Sequence, residues 1–461
     1  MPRPSTARLT DHLLHAGPTP ARQLTTALGI TPATLSRRVA ELRDRVVRIG
    51  RARATHYALL REVRTFGHTW PVHRMDAGGR PRAAASLHAL HTHHWWYEHD
   101  EASGPPPPWL HGEPGLGIFP DLPWFLDDLR PQGFMGRAFA RRHAESLGLS
   151  PDPRLWGANA VLAALLLHGE DLPGDFVLGE RVLERVQRAA LSPPAAVELE
   201  ERAAVYTALA KAALAGDVPG SSAGGEQPKF TACLDDGGIY RHVIVKFSPP
   251  RDTAAGRRWA DLLVCEHLAA ETLAVHGIAA CRTNLVEGPD RTYLEATRFD
   301  RVGAHGRRGV VTLLAVDNAY YGRLDSWHAA ADRMERDGWL DSEDAETLRA
   351  RWWFGTLIAD TDLHFGNVSL ELASVRPLHL APAYDALPMH YRPTAAGEIV
   401  DRDYAPPLPA PGQLSTWQRA AEIALELWER VSCDGRISPE FRKEAARVLG
   451  AMRALVEKLA R

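Results

Sequence analysis

The sequence predicts an α+β protein in which a small basic head precedes a larger mixed body. Three observations predict it: positive charge gathered at one end, helical apolar spacing broken by cap-and-proline turns, and, past the middle, β-prone runs joined by small residues. The chain has 461 residues, 45% of them hydrophobic, and a formal net charge of −3. That composition excludes a mostly disordered chain, and the length suits about three domains with real cores. No apolar run approaches the roughly 18 residues of a membrane span, and the opening MPRPSTARLTDH has no apolar signal core. Cys233, Cys265, Cys281 and Cys433 stand far apart with no CxxC pair, which argues against a disulfide scaffold or a structural zinc site. The expectation is a cytoplasmic protein with no membrane partner.

Charge is unevenly placed. Residues 1–64 hold twelve arginines against Asp11, Glu41, Asp44 and Glu62, a balance of +8 that leaves −11 for the rest. Only Lys211, Lys229, Lys246, Lys443 and Lys458 are lysines, so a lysine inside a motif is informative. In the head, Leu9, Leu13 and Leu14 fall at helical spacing before Gly17-Pro18. Thr19-Pro20 reads as a cap and first-turn proline for a helix carrying Leu24 and Leu28, and Thr31-Pro32 repeats the device. The helix Ala33 to Leu42 sets Leu35, Val39 and Leu42 on one face, and Thr34, Ser36, Arg37 and Arg38 on the other. VVRIG and ATHYALL are β-prone runs joined by Arg51-Ala52-Arg53, a basic wing. The segment resembles a winged helix-turn-helix regulator. In that geometry one helix enters the DNA major groove while the wing meets phosphate, which makes double-stranded DNA the expected partner of residues 1–64. Winged helices commonly read paired half-sites, so a homodimer is also compatible.

Residues 65–220 are the least informative. Pro105 to Pro108 read as a rigid linker, and 158–168 and 195–215 as scaffold helices. His88, His91, His93, His94 and His99 cluster beside Trp95, Trp96 and Tyr97, but no second ligand group completes a metal site, so a packed aromatic segment is expected.

Chemistry concentrates after residue 220. SSAGGEQPKF (221–230) places small residues between two β-prone runs, where backbone amides can approach an anion closely. Lys246 then sits in the apolar run Val243 to Phe247, a costly position unless its ammonium meets a counter-charge. Nucleotide phosphates provide one, and Glu266, in the helical stretch Trp259 to His276, another. DTDLHFGN (360–367) follows, and then Ala383-Tyr384-Asp385-Ala386. In phosphoryl transfer one carboxylate accepts the proton of the incoming hydroxyl, while an asparagine and a second aspartate hold magnesium. Asp362, Asn367 and Asp385 stand in that order.

The ordered set SAGGEQPK (222–229), VIVKF (243–247), RFDR (298–301), DTDLHFGN (360–367) and PAYD (382–385) resembles the HipA-type serine/threonine kinases of bacterial toxin–antitoxin systems. With the basic head, the whole chain is similar to the YjjJ-like subgroup, in which a DNA-binding module is fused to the kinase. The resemblance implies a bilobal protein-kinase-like fold behind the head: 1–64 the winged helix, 65–300 the N-terminal lobe with its preceding scaffold, and 301–461 the helical C-terminal lobe. It also implies ATP and Mg2+ as cofactors and a protein substrate, with aminoacyl-tRNA synthetases the precedent. Asp362 would be the catalytic base, His364 would lie beside the nucleotide, and Asn367 and Asp385 would bind magnesium. Lys246 would meet the α/β-phosphates. Gly224, Gly225, Glu226, Gln227 and Lys229 would cover them. Thr297, Arg298 and Phe299 would form the hinge against adenine. Ser222, with Ser221 beside it, matches the loop serine that such kinases autophosphorylate, adding charge that repels nucleotide.

The chain departs from ordinary protein kinases in lacking G-x-G-x-x-G, in having Thr361 before the catalytic aspartate, and in carrying Tyr-Asp-Ala where Asp-Phe-Gly would stand. Two other functions remain open. Asp362 to Asn367 also resembles the loop of aminoglycoside and choline phosphotransferases, though those lack SAGGEQPK and RFDR. A non-enzymatic DNA-binding regulator with a kinase-like sensor is the other.

Overall fold

The computed structural model describes residues 4–107, 110, 115–216 and 227–459. The head comprises helices α1 (Pro4–Ala16), α2 (Ala21–Leu28) and α3 (Pro32–Glu41) and strands β1 (Thr19–Pro20), β2 (Val46–Ile49) and β3 (His56–Leu59). The strands form an antiparallel sheet of order β1-β3-β2. Leu9, Leu13, Leu24 and Leu35 interlock with Val46, Tyr57 and Leu59, so one apolar stripe per helix makes the core. Gly29, at φ 59°, closes α2 in the left-handed conformation that lets the chain turn directly into α3. The Thr31 hydroxyl caps α3 by accepting from Thr34 N–H at 3.2 Å.

Two expectations for the head need correction. Thr19 does not cap α2. Its hydroxyl donates to Gly17 O at 2.8 Å and its backbone pairs with Tyr57, which leaves Pro20 as the capping residue without a side-chain bond. Leu14 is exposed rather than packed with Leu9 and Leu13. The Arg51–Arg53 connection between β2 and β3 includes a 3-10 turn, Ala52–Ala54.

The middle region is a five-stranded antiparallel sheet of order β7-β6-β5-β4-β8. Its strands are β4 (Thr69–Met75), β5 (Pro81–Ala89), β6 (Trp95–His99), β7 (Ile118–Phe119) and β8 (Phe176–Leu178). Helices α4 (Trp124–Asp127), α5 (Gly133–Leu147), α6 (Ala158–His168) and α7 (Glu180–Ala189) accompany it. The histidines are used one at a time: His88 stacks on Trp96 and meets Glu98 at 3.0 Å, His94 meets Thr92, and His99 meets Gly104 O. Head and sheet are joined by packing: Ile49 and Ala58 share a core with Leu90, Trp96 and Ile118, and Arg61 N–H donates to Ala89 O.

A second five-stranded sheet, order β12-β13-β11-β10-β9, follows: β9 (Val197–Glu198), β10 (Lys229–Asp236), β11 (Ile239–Phe247), β12 (Thr283–Glu287) and β13 (Thr292–Thr297). Helices α8 (Arg202–Ala215) and α9 (Ala254–Val275) contact it. The helix expected from residue 195 starts at 202, because Val197–Glu198 pairs with β10 instead. Beyond it come the hairpin β14 (Arg301–Val302) and β15 (Gly306–Arg307), and the strands β16 (Val310–Thr312), β17 (Ser369–Glu371) and β18 (His379–Leu380). The remainder is helical: α10 (Leu313–Tyr320), α11 (Trp327–Arg336), α12 (Ser342–Leu357), α13 (Leu414–Cys433) and α14 (Pro439–Leu459). Trp417, Trp428 and Phe441 centre the core that holds α9 against α12, α13 and α14. One further core runs without a break from the middle region (Trp95, Phe125, Phe176) to Leu313, Val316 and Trp327. Among the described residues, no helix is long and apolar enough to cross a membrane.

Candidate active site

Lys246 is buried near the end of β11, beside Val245 and Phe247, so its ammonium can persist there only beside anions. Lys246 Nζ lies 2.5 Å from Glu266 Oε1, which α9 presents, and in contact with the Asp385 carboxylate. Glu266 is buried as well, which keeps the ion pair in a low-dielectric setting. Lys229, on β10, is the direct cross-strand partner of Lys246. Residues so paired project to the same face, so both lysines line one cavity, together with the Glu266 and Asp385 carboxylates.

Opposite this sheet the chain leaves α12 through Ala359, at φ 61°, and enters the loop Asp360 to Asn367. Asp360 is buried, and its carboxylate accepts from Asp362 N–H at 2.9 Å. Burial pushes the Asp360 carboxyl up to about 8. Asn367 Nδ2 donates to Asp362 O at 2.9 Å, which pins the loop and fixes the amide with Oδ1 as its remaining acceptor. Asp362 and His364 are about half exposed, with His364 Nε2 3.9 Å from Asp362 Oδ1. Asp385 takes a left-handed backbone, φ 57°, which costs a non-glycine residue energy. Tyr384 beside it donates to Gly366 O at 3.0 Å, tying the two loops together.

At the other end, Thr297 ends β13, and the Phe299 and Tyr384 rings lie 5.6 Å apart. Arg298 borders the cavity, but its guanidinium is committed to Asp300 at 2.8 and 3.0 Å and to Asp171 at 2.8 Å. Arg301 joins the same pair of aspartates. Burial works against these charges, yet the partners prevail: Arg298 is held above its ordinary range, Asp300 well below the usual carboxylate range, and Asp171 down to about 2. RFDR is thus a clamp between the end of β13 and the middle region.

The structure gathers Lys229, Lys246, Thr297, Arg298, Phe299, His364, Asn367 and Asp385 around one cavity of about 220 Å³. Gln227 is described, and its side-chain Nε2 is buried without a partner. Ser221, Ser222, Gly224, Gly225 and Glu226 lie outside the described residues. In the head, Ser36, Arg37, Arg51 and Arg53 are exposed and Thr34 and Arg38 half-buried. Arg51 is paired with Glu101 of the middle region at 2.5 Å. Sequence reasoning missed Asp360, for which a carboxylate two residues before Asp362 was a visible cue. It also missed Asp128 and Pro173, which line the cavity from the middle region and carry no local motif.

The donor set fits a magnesium nucleotide. Asn367 Oδ1 and the Asp385 carboxylate are hard oxygen ligands. Thr297 Oγ1 is buried and unpartnered where it borders the cavity, as a hinge group awaiting a hydrogen bond would be.

Comparison with known proteins agrees with this architecture. The family described as YjjJ-like toxin, middle domain, matches residues 66–187, and the HipA-like C-terminal domain matches residues 221–458. Toxin YjjJ of Escherichia coli (strain K12) is 39% identical over 456 residues, 99% of each chain. A chain from the Shewanella oneidensis MR-1 complex of HipA, HipB and its operator DNA shares the fold, with TM-score 0.51 and 15% identity over 84% of this chain and 97% of that one. The Helicobacter pylori kinase CtkA overlaps with 50% of this chain, at TM-score 0.34 and 12% identity.

Proposed function

This chain belongs to the YjjJ-like, HipA-type toxin family and has its kinase-like fold, and from that footing we propose that it is an ATP- and magnesium-dependent serine/threonine protein kinase. The observation that carries this reading is Lys246, buried between Glu266 and Asp385 on the wall of the cavity that the Asp362–Asn367 loop faces. Bound MgATP supplies the transferable γ-phosphoryl group and the metal charge that offsets its oxygens. The chain's residues do the positioning. Lys246 and Lys229 neutralise phosphate oxygens, and Glu266 keeps the Lys246 ammonium aimed into the cavity. Asn367 Oδ1 and Asp385 hold magnesium. Asp362, half exposed on the loop whose His364 and Asn367 line the cavity, accepts the proton of the substrate hydroxyl, and its loop is held in place by Asp360 and Asn367. His364 lines the nucleotide's side of the loop. A hydroxyl on a protein is the acceptor that family membership favours, and the aminoacyl-tRNA synthetase precedent comes with the resemblance alone.

Two regulatory assignments accompany this proposal. As the resemblance implies, phosphorylation of Ser222 or Ser221 adds about −1.5 to −2 charges and lowers nucleotide affinity. The head reads duplex DNA, with Thr34, Ser36, Arg37 and Arg38 towards the groove and Arg51 and Arg53 towards phosphate. Its three helices, antiparallel sheet and +8 balance support that reading.

Incubation of the full chain with labelled ATP and magnesium tests the reading. Label on Ser221 or Ser222, absent in Asp362→Asn, is the expected result. Label only on an added aminoglycoside or choline would replace it with a small-molecule phosphotransferase. No turnover with intact, salt-sensitive DNA binding would leave a regulator with a sensor domain.

A further inference from the structure

The middle region does not merely support the nucleotide cleft; part of the cleft wall is made from it. Asp128, just past α4, and Pro173, in the loop after α6, line the same cavity as Lys246 and Asn367. Both are held in place from the kinase side. The Pro173 loop is fastened on either flank: Arg301 donates to Leu172 O at 2.7 Å, and Gly174 N–H donates to Asp300 Oδ2 at 2.9 Å. Asp128 is fixed by Thr312, whose N–H and hydroxyl donate to its two oxygens at 2.7 and 2.6 Å. Thr312 opens α10 and pairs with Ser369, two residues beyond Asn367.

A carboxylate oxygen has two acceptor positions, and Thr312 fills one on each. The remaining two belong to a group with no proton to give, in a desolvated setting that pushes the carboxyl up to about 6. Such a group lowers its cost by receiving further O–H or N–H donors. A triphosphate offers none and would be repelled. Phosphate-binding groups stand at one end of the cavity (Lys246, Asn367, Asp385) and the hinge, Thr297 to Phe299, at the other. Asp128 is tied through Thr312 and its cross-strand partner Ser369 to Tyr384, whose hydroxyl bonds Ser369 at 2.8 Å. The Tyr384 ring lies 5.6 Å from Phe299 on the hinge side, while its chain neighbour is Asp385. Between base and phosphates a nucleotide carries its sugar, whose vicinal hydroxyls are a pair of donors. Carboxylates recognise that pair elsewhere, as in dinucleotide folds.

We propose that the middle region completes the nucleotide site, with the Asp128 carboxylate accepting hydrogen bonds from the ribose hydroxyls. The inference rests on the nucleotide-binding reading of the cleft. Its consequence is selection for ribonucleotides, and a C-terminal kinase unit that is incomplete without residues 124–175.

The experiment is equilibrium binding of ATP, 2′-deoxy-ATP and 3′-deoxy-ATP to the full-length protein with magnesium, by calorimetry. ATP is expected to bind about tenfold more tightly than at least one deoxy analogue, the scale of one lost hydrogen bond to a charged acceptor. In Asp128→Asn the difference between ATP and the analogues shrinks to about twofold or less. Equal affinity of the unaltered protein for all three nucleotides would overturn the inference while leaving the kinase reading intact. No binding of any nucleotide would overturn the kinase reading itself, and the inference with it. The analogue comparison needs no substitution, so it holds even if Asp128→Asn folds poorly. A purely structural role for Asp128 would weaken all three nucleotides together and preserve their ratio, which also counts against the proposal.

Discussion

In the head, Arg51 extends into solvent with 82% of its side chain exposed, whereas at the hinge Arg298 and Arg301 keep only 4% and 5%. Residues 1–64 carry a balance of +8, and even the paired Arg51 meets Glu101 in an exposed, solvent-screened contact, which leaves a field that a phosphate backbone could answer. At the hinge the same residue type is neutralised locally by Asp171 and Asp300, and its fork geometry joins two regions distant in sequence. One set stands open to solvent and the other is spent on an internal contact. Substitutions should therefore separate them cleanly, the hinge through stability and the head through binding.

The largest effect is expected for Arg298→Ala. It strips a partner from buried Asp300 and should destabilise the protein by about 3–5 kcal/mol in denaturant unfolding. Arg298→Lys should recover little, since an ammonium cannot span both aspartates. A loss below about 1 kcal/mol would put the clamp elsewhere.

Acid should act in the same place. Asp171 and Asp300 have folded values below their unfolded ones, so their contribution is complete above about pH 4 and disappears as the pH falls towards about 2. Asp360 has the opposite sign: its carboxyl is raised to about 8, so its contribution is complete below about pH 4 and declines as the pH rises through 8. Thermal melts across this range should show both slopes. Asp360→Asn should flatten the alkaline one alone.

For the head, the double substitution Arg37→Ala and Arg38→Ala should change stability by only about 0.5 kcal/mol, yet weaken DNA binding in a filter or anisotropy assay. It should also flatten the salt dependence by about 0.9 in log–log slope for each phosphate the head no longer neutralises. Unchanged binding would move the recognition surface off α3. The smallest effect is expected at Glu101→Ala, which frees Arg51 from an exposed pair worth under about 1 kcal/mol. If Arg51 meets phosphate, removing its competing carboxylate should strengthen DNA binding slightly.

The two regions also differ in how far the sequence discloses them. Head helices announce themselves through leucine spacing and Thr31-Pro32, because capping and amphipathicity are local. The Lys246–Glu266 pair is legible for a related reason: a lysine inside an apolar run demands a nearby counter-charge, and the structure supplies Glu266. Thr19-Pro20 misleads because strand pairing with Tyr57 outweighs a cap that looks identical to Thr31-Pro32. Arg298 reads as a hinge contact, and nothing near it signals that its guanidinium is taken by Asp171, 127 residues upstream. Asp128 is invisible for the same reason, since its meaning depends on Thr312, 184 residues away. What escapes the sequence is the joining of separate regions, which no local pattern encodes.

The shared core of Ile49 and Ala58 with Leu90, Trp96 and Ile118 bears on how this chain can be handled and how its parts can be inherited. Deleting residues 1–64 would not free a body from a tether. It would unroof Trp96 and Ile118 and leave a strand-edged apolar face open to aggregation. Since the middle region shares that core with the head and also supplies Asp128 and Pro173 to the cavity beside Lys246, any partner that orients the head would also fix the bearing of that cavity. A working exchange of modules between relatives would then have to carry the seam along with the head.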